Sequence, residues 1–181
     1  LDKNYAEAYS WRAEISAIDF DDYNEALRDI NKALEILPDD PLVNFHAAKV
    51  YIEIGVQNLD KNKQDEAFDS FKKSNFHANK AIATYPDQLN NMYQRIFPFG
   101  YLYELHHEVG INNYEMAWYW RGYKKNKRSK AKTYFDAAIN SFTRAISLAP
   151  KQKKTDQLFE EYNLEYLMVA DIHYWRGNTY S

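Results

Sequence analysis

The stretch "DYNEALRDINKALEILPDDP", Asp22 to Pro41, decides the fold class. Its apolar residues are Ala26, Leu27, Ile30, Ala33, Leu34 and Leu37. Plotted at 3.6 residues per turn they form one stripe, the pattern of an amphipathic helix. Asp22 with Glu25 three residues on reads as a capping-box-like start. Pro38 stops the helix, because proline lacks an N–H and clashes with the preceding turn. Asp40-Pro41 then opens another helix, with a cap and an N1 proline.

The same ending is written twice more. "KALEILP" ends at Pro38, "KAIATYP" at Pro86 and "RAISLAP" at Pro150. Working outward, helices are predicted near 4–19, 22–37, 41–56, 64–85, 88–109, 113–126, 130–149 and 156–180. No run alternates with period two for long enough to make a strand. Glycine and proline number only five each, which suits long helices better than a turn-rich sandwich. The class is all-α.

Composition narrows function by exclusion. The 181 residues suffice for a sizeable core, and the net charge is only −3. That balance points to neither nucleic acid nor an anionic membrane as partner. No apolar run approaches the length of a membrane span. Cysteine is absent, which excludes disulfides, thiolate catalysis and thiolate-bound zinc. The glycines, at 55, 100, 110, 122 and 177, form no phosphate-cradling loop. No G-x-S-x-G elbow exists, so no enzyme and no cofactor is expected. The aromatic content is high at 17%, with 16 Tyr, and calls for a use.

Part of that aromatic content sits in a repeated tetrapeptide. "YWRG" occurs at 119–122 and 174–177, and "SWRA" at 10–13. Self-similar helix pairs mark a helical solenoid. The residues here resemble the tetratricopeptide repeat, a helix–turn–helix unit of about 34 residues. Tyr9, Ala13, Tyr23, Ala26, Ile30, Ala33 and Pro38 match the first unit. Ala47-Ala48, Tyr51, Gly55, Ala78, Ala81 and Pro86 match a second. Trp118, Gly122, Ala138, Phe142, Ala145 and Pro150 match a third, and Gly177 and Tyr180 a final first helix. Small residues such as Ala13, Ala26 and Gly122 would let paired helices approach closely, with large ones filling the space beside them.

The resemblance implies a right-handed superhelix of antiparallel helix pairs, an α-α solenoid with about eight helices. Its units would be 4–38, 41–86, 113–150 and a partial 166–181, with an irregular insertion at 87–112. Leu1–Lys3 looks like the tail of a preceding unit, so a piece of a longer array is expected.

The resemblance also implies a function: a non-catalytic scaffold holding a peptide or protein segment in a concave groove lined by the first helices. Carried over, the groove residues are Glu7, Ser10, Glu14, Leu42, Phe45, Lys49, Met116, Tyr119, Tyr123, Asp171, Tyr174 and Asn178. Phe45, Lys49, Tyr119, Tyr123, Tyr174 and Asn178 are the expected partner contacts. Exposed Tyr gives large contact area at low entropy cost. The carboxylate clamp that grips chaperone C-terminal tails is not matched: Ser10, Glu14, His46, Met116 and Trp120 stand where its Lys, Asn and Arg would be.

Two other features compete. "KKNKRSKAK", 124–132, carries six bases in nine residues and would suit RNA or an acidic peptide. It has no interleaved aromatic, so a solvated connection is the expectation and nucleic acid is not. A glycan- or small-ligand-binding protein of an exported bacterial type would instead enclose a pocket with 87–112. Among metal candidates, Glu104 and His107 at i and i+3 could share an ion, whereas His106 and His107 point about 100° apart. The expectation there is a solvated helix end before Gly110.

Overall fold

The computed structural model describes residues 3–85, 101–124 and 127–148. All their regular structure is helical, with no strand among the described residues. Six α-helices are present: α1 Lys3–Ile18, α2 Tyr23–Ile36, α3 Pro41–Asp60, α4 Gln64–Thr84, α5 Tyr101–Trp118 and α6 Arg128–Leu148. A π-helical turn, Tyr119–Tyr123, follows α5 directly. The all-α expectation holds at that level, with six helices among the described residues rather than about eight. The expected helix at 156–180 lies outside them.

The chain divides into two compact units, Leu1–Asn91 and Met92–Ser181. In the first, the local signals act as written. The Asp22 side chain accepts from the Glu25 N–H at 3.0 Å and caps α2. Asp40 accepts from the N–H groups of Leu42 and Val43, both at 3.0 Å, and Pro41 fills the first turn of α3. Each cap satisfies donors that a helix start leaves orphaned.

Helix α3 ends in a Schellman motif. The Lys63 N–H donates to the Asn58 carbonyl at 2.7 Å, and the Asn62 N–H to Leu59 at 2.9 Å. Asn62 takes the left-handed conformation, φ 57°, that this closure requires. Asn62→Ala should therefore cost about 1 kcal/mol and Asn62→Gly nothing or less, read by urea denaturation. Equal midpoints for the two variants would contradict the strain argument.

Helix α1 packs on α2 and α3, α2 on α3, and α3 on α4. The core that α1, α2 and α3 share is built of small residues. Ala6, Ala13, Ala17, Ala26, Ala33 and Ala47 are fully buried there with Ile30, Val43 and Val50. Ala13 and Ala26, expected to meet, belong to this one cluster. Where α3 meets α4 the close approach is made by Gly55, whose missing Cβ would lie 2.5 Å from the Phe71 ring.

In the second unit, α5 and α6 pack on one another. Two helices, 88–109 and 113–126, were expected where α5 runs unbroken from 101 to 118. Gly110 reads as a helix end because glycine so often stands there. In the fold it is an interior residue, and a Cβ on it would lie 2.5 Å from the Phe142 ring. The second hairpin thus repeats the glycine-under-phenylalanine contact of the first unit. Residues 101–112, read as part of an insertion, form most of the first helix of this pair. Residues 87–100 lie outside the described residues.

Gly122 behaves differently from the expectation. It is exposed, and no atom beyond its chain neighbours and local helix backbone lies within 4 Å of its Cβ position. The expected nesting of Gly122 on Ala138 is not made. Ala138 is buried instead with Ala117, Ala131, Phe135, Ile139 and Phe142. The reason is register: α5 ends at Trp118, so Gly122 falls in the π turn beyond it.

Candidate partner-binding site at the tip of the second hairpin

The expected groove residues separate into three groups. Phe45 is 2% exposed and Met116 also 2%, so neither presents a surface to a partner. Every residue from Pro41 to Ala48 is buried, because α1, α2 and α4 all pack on α3. Tyr174 and Asn178 lie outside the described residues, as does Asp171. Of the six expected partner contacts, Lys49, Tyr119 and Tyr123 remain.

Lys49 is engaged internally. Its ammonium lies 4.0 Å from Glu14 Oε1 and 5.5 Å from the centre of the Phe45 ring. Glu14 belongs to a buried polar array that sequence reading missed. Ser10, expected at a groove, is fully buried, and its hydroxyl donates to the Glu7 carbonyl at 2.9 Å. Its oxygen then accepts from His46 Nδ1 at 2.8 Å, which leaves the lone pair of His46 on Nε2. Nε2 lies 3.2 Å from Glu14 Oε2. Burial, with a lesser effect of Lys49, pushes the His46 imidazole down to about 3. Burial raises the Glu14 carboxyl. The two shifts agree on one arrangement, a neutral imidazole facing a carboxyl that readily holds the proton. Serine, histidine and glutamate in a row look like a hydrolytic triad. Here the serine is sealed from solvent and already donates to backbone, so no nucleophile is available.

The "SWRA" copy is explained by these contacts. Ser10 holds His46, the Trp11 ring lies 4.3 Å from that imidazole, and Ala13 is core. Arg12 makes a two-pronged pair with Asp29, which is 3% exposed, and so ties α1 to α2. Its near-copy at 119–122 has a different task.

At the π turn the Lys124 N–H reaches the Tyr119 carbonyl at 3.1 Å. Wide turns of this kind are often found at functional positions. This one gathers Trp118, Tyr119, Trp120 and Tyr123 at the end of the hairpin. Trp118 turns inward, edge-on to Phe135 at 6.0 Å. Tyr119 lies 5.2 Å from Trp120 and 5.6 Å from Tyr123. Tyr123 is 52% exposed.

Cations cover these rings. The Lys124 ammonium lies 4.8 Å from the centre of Tyr123 and 5.5 Å from that of Tyr119. Lys130 and Lys127 lie 4.3 Å and 5.4 Å from Trp120. The Arg121 guanidinium lies 5.4 Å from Trp118. The lysine-rich run, bare of aromatics in sequence, is interleaved with them in space. Lys127, Arg128 and Lys130 are exposed, and no carboxylate lies within 4.0 Å of them among the described residues.

This arrangement has a physical consequence. A lysine on an open surface loses about 2 kcal/mol of rotamer freedom when a partner fixes it. A lysine already resting on a ring has given up part of that freedom before binding. Lys127 and Lys130 are therefore exposed ammonium groups held in place on a ring.

No protein-family model, curated protein or solved structure matches this chain. Among the described residues, no helix is long and apolar enough to cross a membrane.

Proposed function

We propose that the chain is a non-catalytic helical-repeat scaffold of the tetratricopeptide type, and that it holds an acidic peptide segment of a protein partner at the α5–α6 tip. The repeat reading is supported by the order of packing in the first unit, where α3 receives both members of the preceding pair. It is supported also by the shared device of Gly55 under Phe71 and Gly110 under Phe142. The observation that carries the binding reading is the lysine–aromatic cluster, with Lys124 over Tyr119 and Tyr123 and Lys130 over Trp120.

Acidic peptide is favoured over nucleic acid for a stated reason. Single-stranded binding uses open aromatic faces on which bases stack. Two lysines of the protein itself already lie over Trp120, and Lys124 over both tyrosines. What the tip presents outward is positive charge, with Tyr123 as the most exposed ring. Carboxylates spaced along a short segment would meet the exposed Lys127, Arg128 and Lys130.

The test is fluorescence anisotropy with a labelled peptide of alternating Glu and Leu, run beside oligouridine. The Tyr119→Ala/Tyr123→Ala variant should bind the peptide about tenfold more weakly, as loss of two pre-ordering rings implies. Its circular dichroism should stay helical. Peptide affinity unchanged in this variant, or oligouridine bound more tightly than the peptide, would overturn the reading.

A further inference from the structure

On α5, away from the tip, Glu104, His107 and Glu108 stand at i, i+3 and i+4. That spacing puts them on one face of the helix. Their ligating atoms, one imidazole nitrogen and two carboxylate oxygens, all lie within 4.8 Å of one another. We propose that these three side chains bind a divalent metal ion of the zinc class.

Three features support the assignment. Around an ion with bonds of about 2.1 Å, neighbouring donors sit roughly 3 to 3.5 Å apart, so small side-chain rotations close the set. Two carboxylates converging at i and i+4 repel one another, and a dication between them reverses the sign of that interaction. The imidazole is also held. The Tyr103 ring lies parallel to it, 6.2 Å away at 4°, and Phe142 stands 6.0 Å off. Oriented ligands lose less entropy on binding.

The donor set selects the ion. An imidazole favours zinc and its transition-metal neighbours over magnesium or calcium. With no cysteine in the chain, thiolate-seeking ions have no soft donor here. Three ligands leave a coordination position open to water or to a carboxylate from outside. His106 is excluded because the adjacent helical position points about 100° away.

The test is calorimetric titration of the whole chain with Zn2+ alone, repeated with Co2+ followed by its visible absorption. One ion per chain is expected to depend on this face. Glu104→Gln, His107→Gln and Glu108→Gln should each weaken binding more than about tenfold. His106→Gln should leave it unchanged. Glutamine keeps nearly the helix propensity of glutamate, and circular dichroism checks each variant. An absent heat and absent cobalt band at millimolar metal would overturn the site. So would affinity and stoichiometry that survive His107→Gln in a helical protein.

Discussion

Gly110→Val is expected to destabilise the α5–α6 hairpin by about 3 kcal/mol, the upper part of the range for forcing atoms into a packed core. Already the first added carbon would stand 2.5 Å from Phe142 Cε1, inside contact distance. Phe142 cannot retreat, since it is fully buried among Ala138, Phe135 and Ala131. The usual gain from replacing a helical glycine, about 1 kcal/mol for alanine and less for valine, is too small to offset this. Gly122→Ala provides the contrast. That position faces open space, so its change should be neutral or stabilising by about 0.5 kcal/mol. Both are read from urea midpoints. Combining Gly110→Val with Phe142→Leu should recover part of the loss, because the two sites share one contact. If Gly122 proved the sensitive glycine and Gly110 the tolerant one, the described register of α5 would be wrong.

That contrast shows where sequence reading ends. Caps, proline stops and apolar stripes are local, so α2 and the start of α3 were legible to within a residue or two. The alanines of α1 and α2 were legible for a similar reason, since a small residue on an apolar stripe has few uses other than close packing. A glycine in a helical pattern is ambiguous. It can end a helix or let a neighbour touch it, and only the partner ring decides. Gly110 was read as an end and Gly122 as a contact, and the structure reverses both.

The two copies of the Trp-Arg motif among the described residues make the same point at the level of function. Arg12 finds Asp29, seventeen residues away on the partner helix, and Trp11 finds His46 on α3. Arg121 lies over Trp118 at the end of its own helix, and Trp120 lies under Lys127 and Lys130. The shared Trp-Arg pair acquires different roles from what stands opposite it. The tip was half legible: Tyr119, Tyr123 and the lysine run 124–132 were each named, but not their union, because the π turn and the start of α6 bring Lys127 and Lys130 onto Trp120. Phe45 was misplaced for want of a third helix over it.

The buried array of the first unit predicts a pH response that depends on one carboxyl group. Native His46 protonates only near pH 3, against 6.5 in the unfolded chain. Between those values the unfolded state binds more protons, so His46 makes stability fall as pH falls. Glu14 acts oppositely. Its carboxyl is raised, so the native state takes up a proton first and gains relative stability as pH drops. They face each other at 3.2 Å, and their contributions to stability have opposite signs. His77, lowered to about 4 chiefly by burial and bonded to Asn44 Oδ1 at 2.9 Å, leaves a modest acid loss. Its partial exposure holds that loss to about 1 kcal/mol.

Glu14→Gln should therefore uncover His46. The amide can still donate to Nε2 but cannot supply a titrating proton, and Lys49 continues to oppose a charged imidazole. From pH 6.5 to 4.5 this variant should lose about 2 kcal/mol, as one histidine titrating only in the unfolded state requires, and the wild type less, because Glu14 opposes that loss. Adding His46→Gln should abolish the extra loss. Urea denaturation at the two pH values gives all three slopes. Parallel curves for wild type and Glu14→Gln would mean that native Glu14 takes up no proton ahead of the unfolded chain, and that the proton between α1 and α3 is not shared.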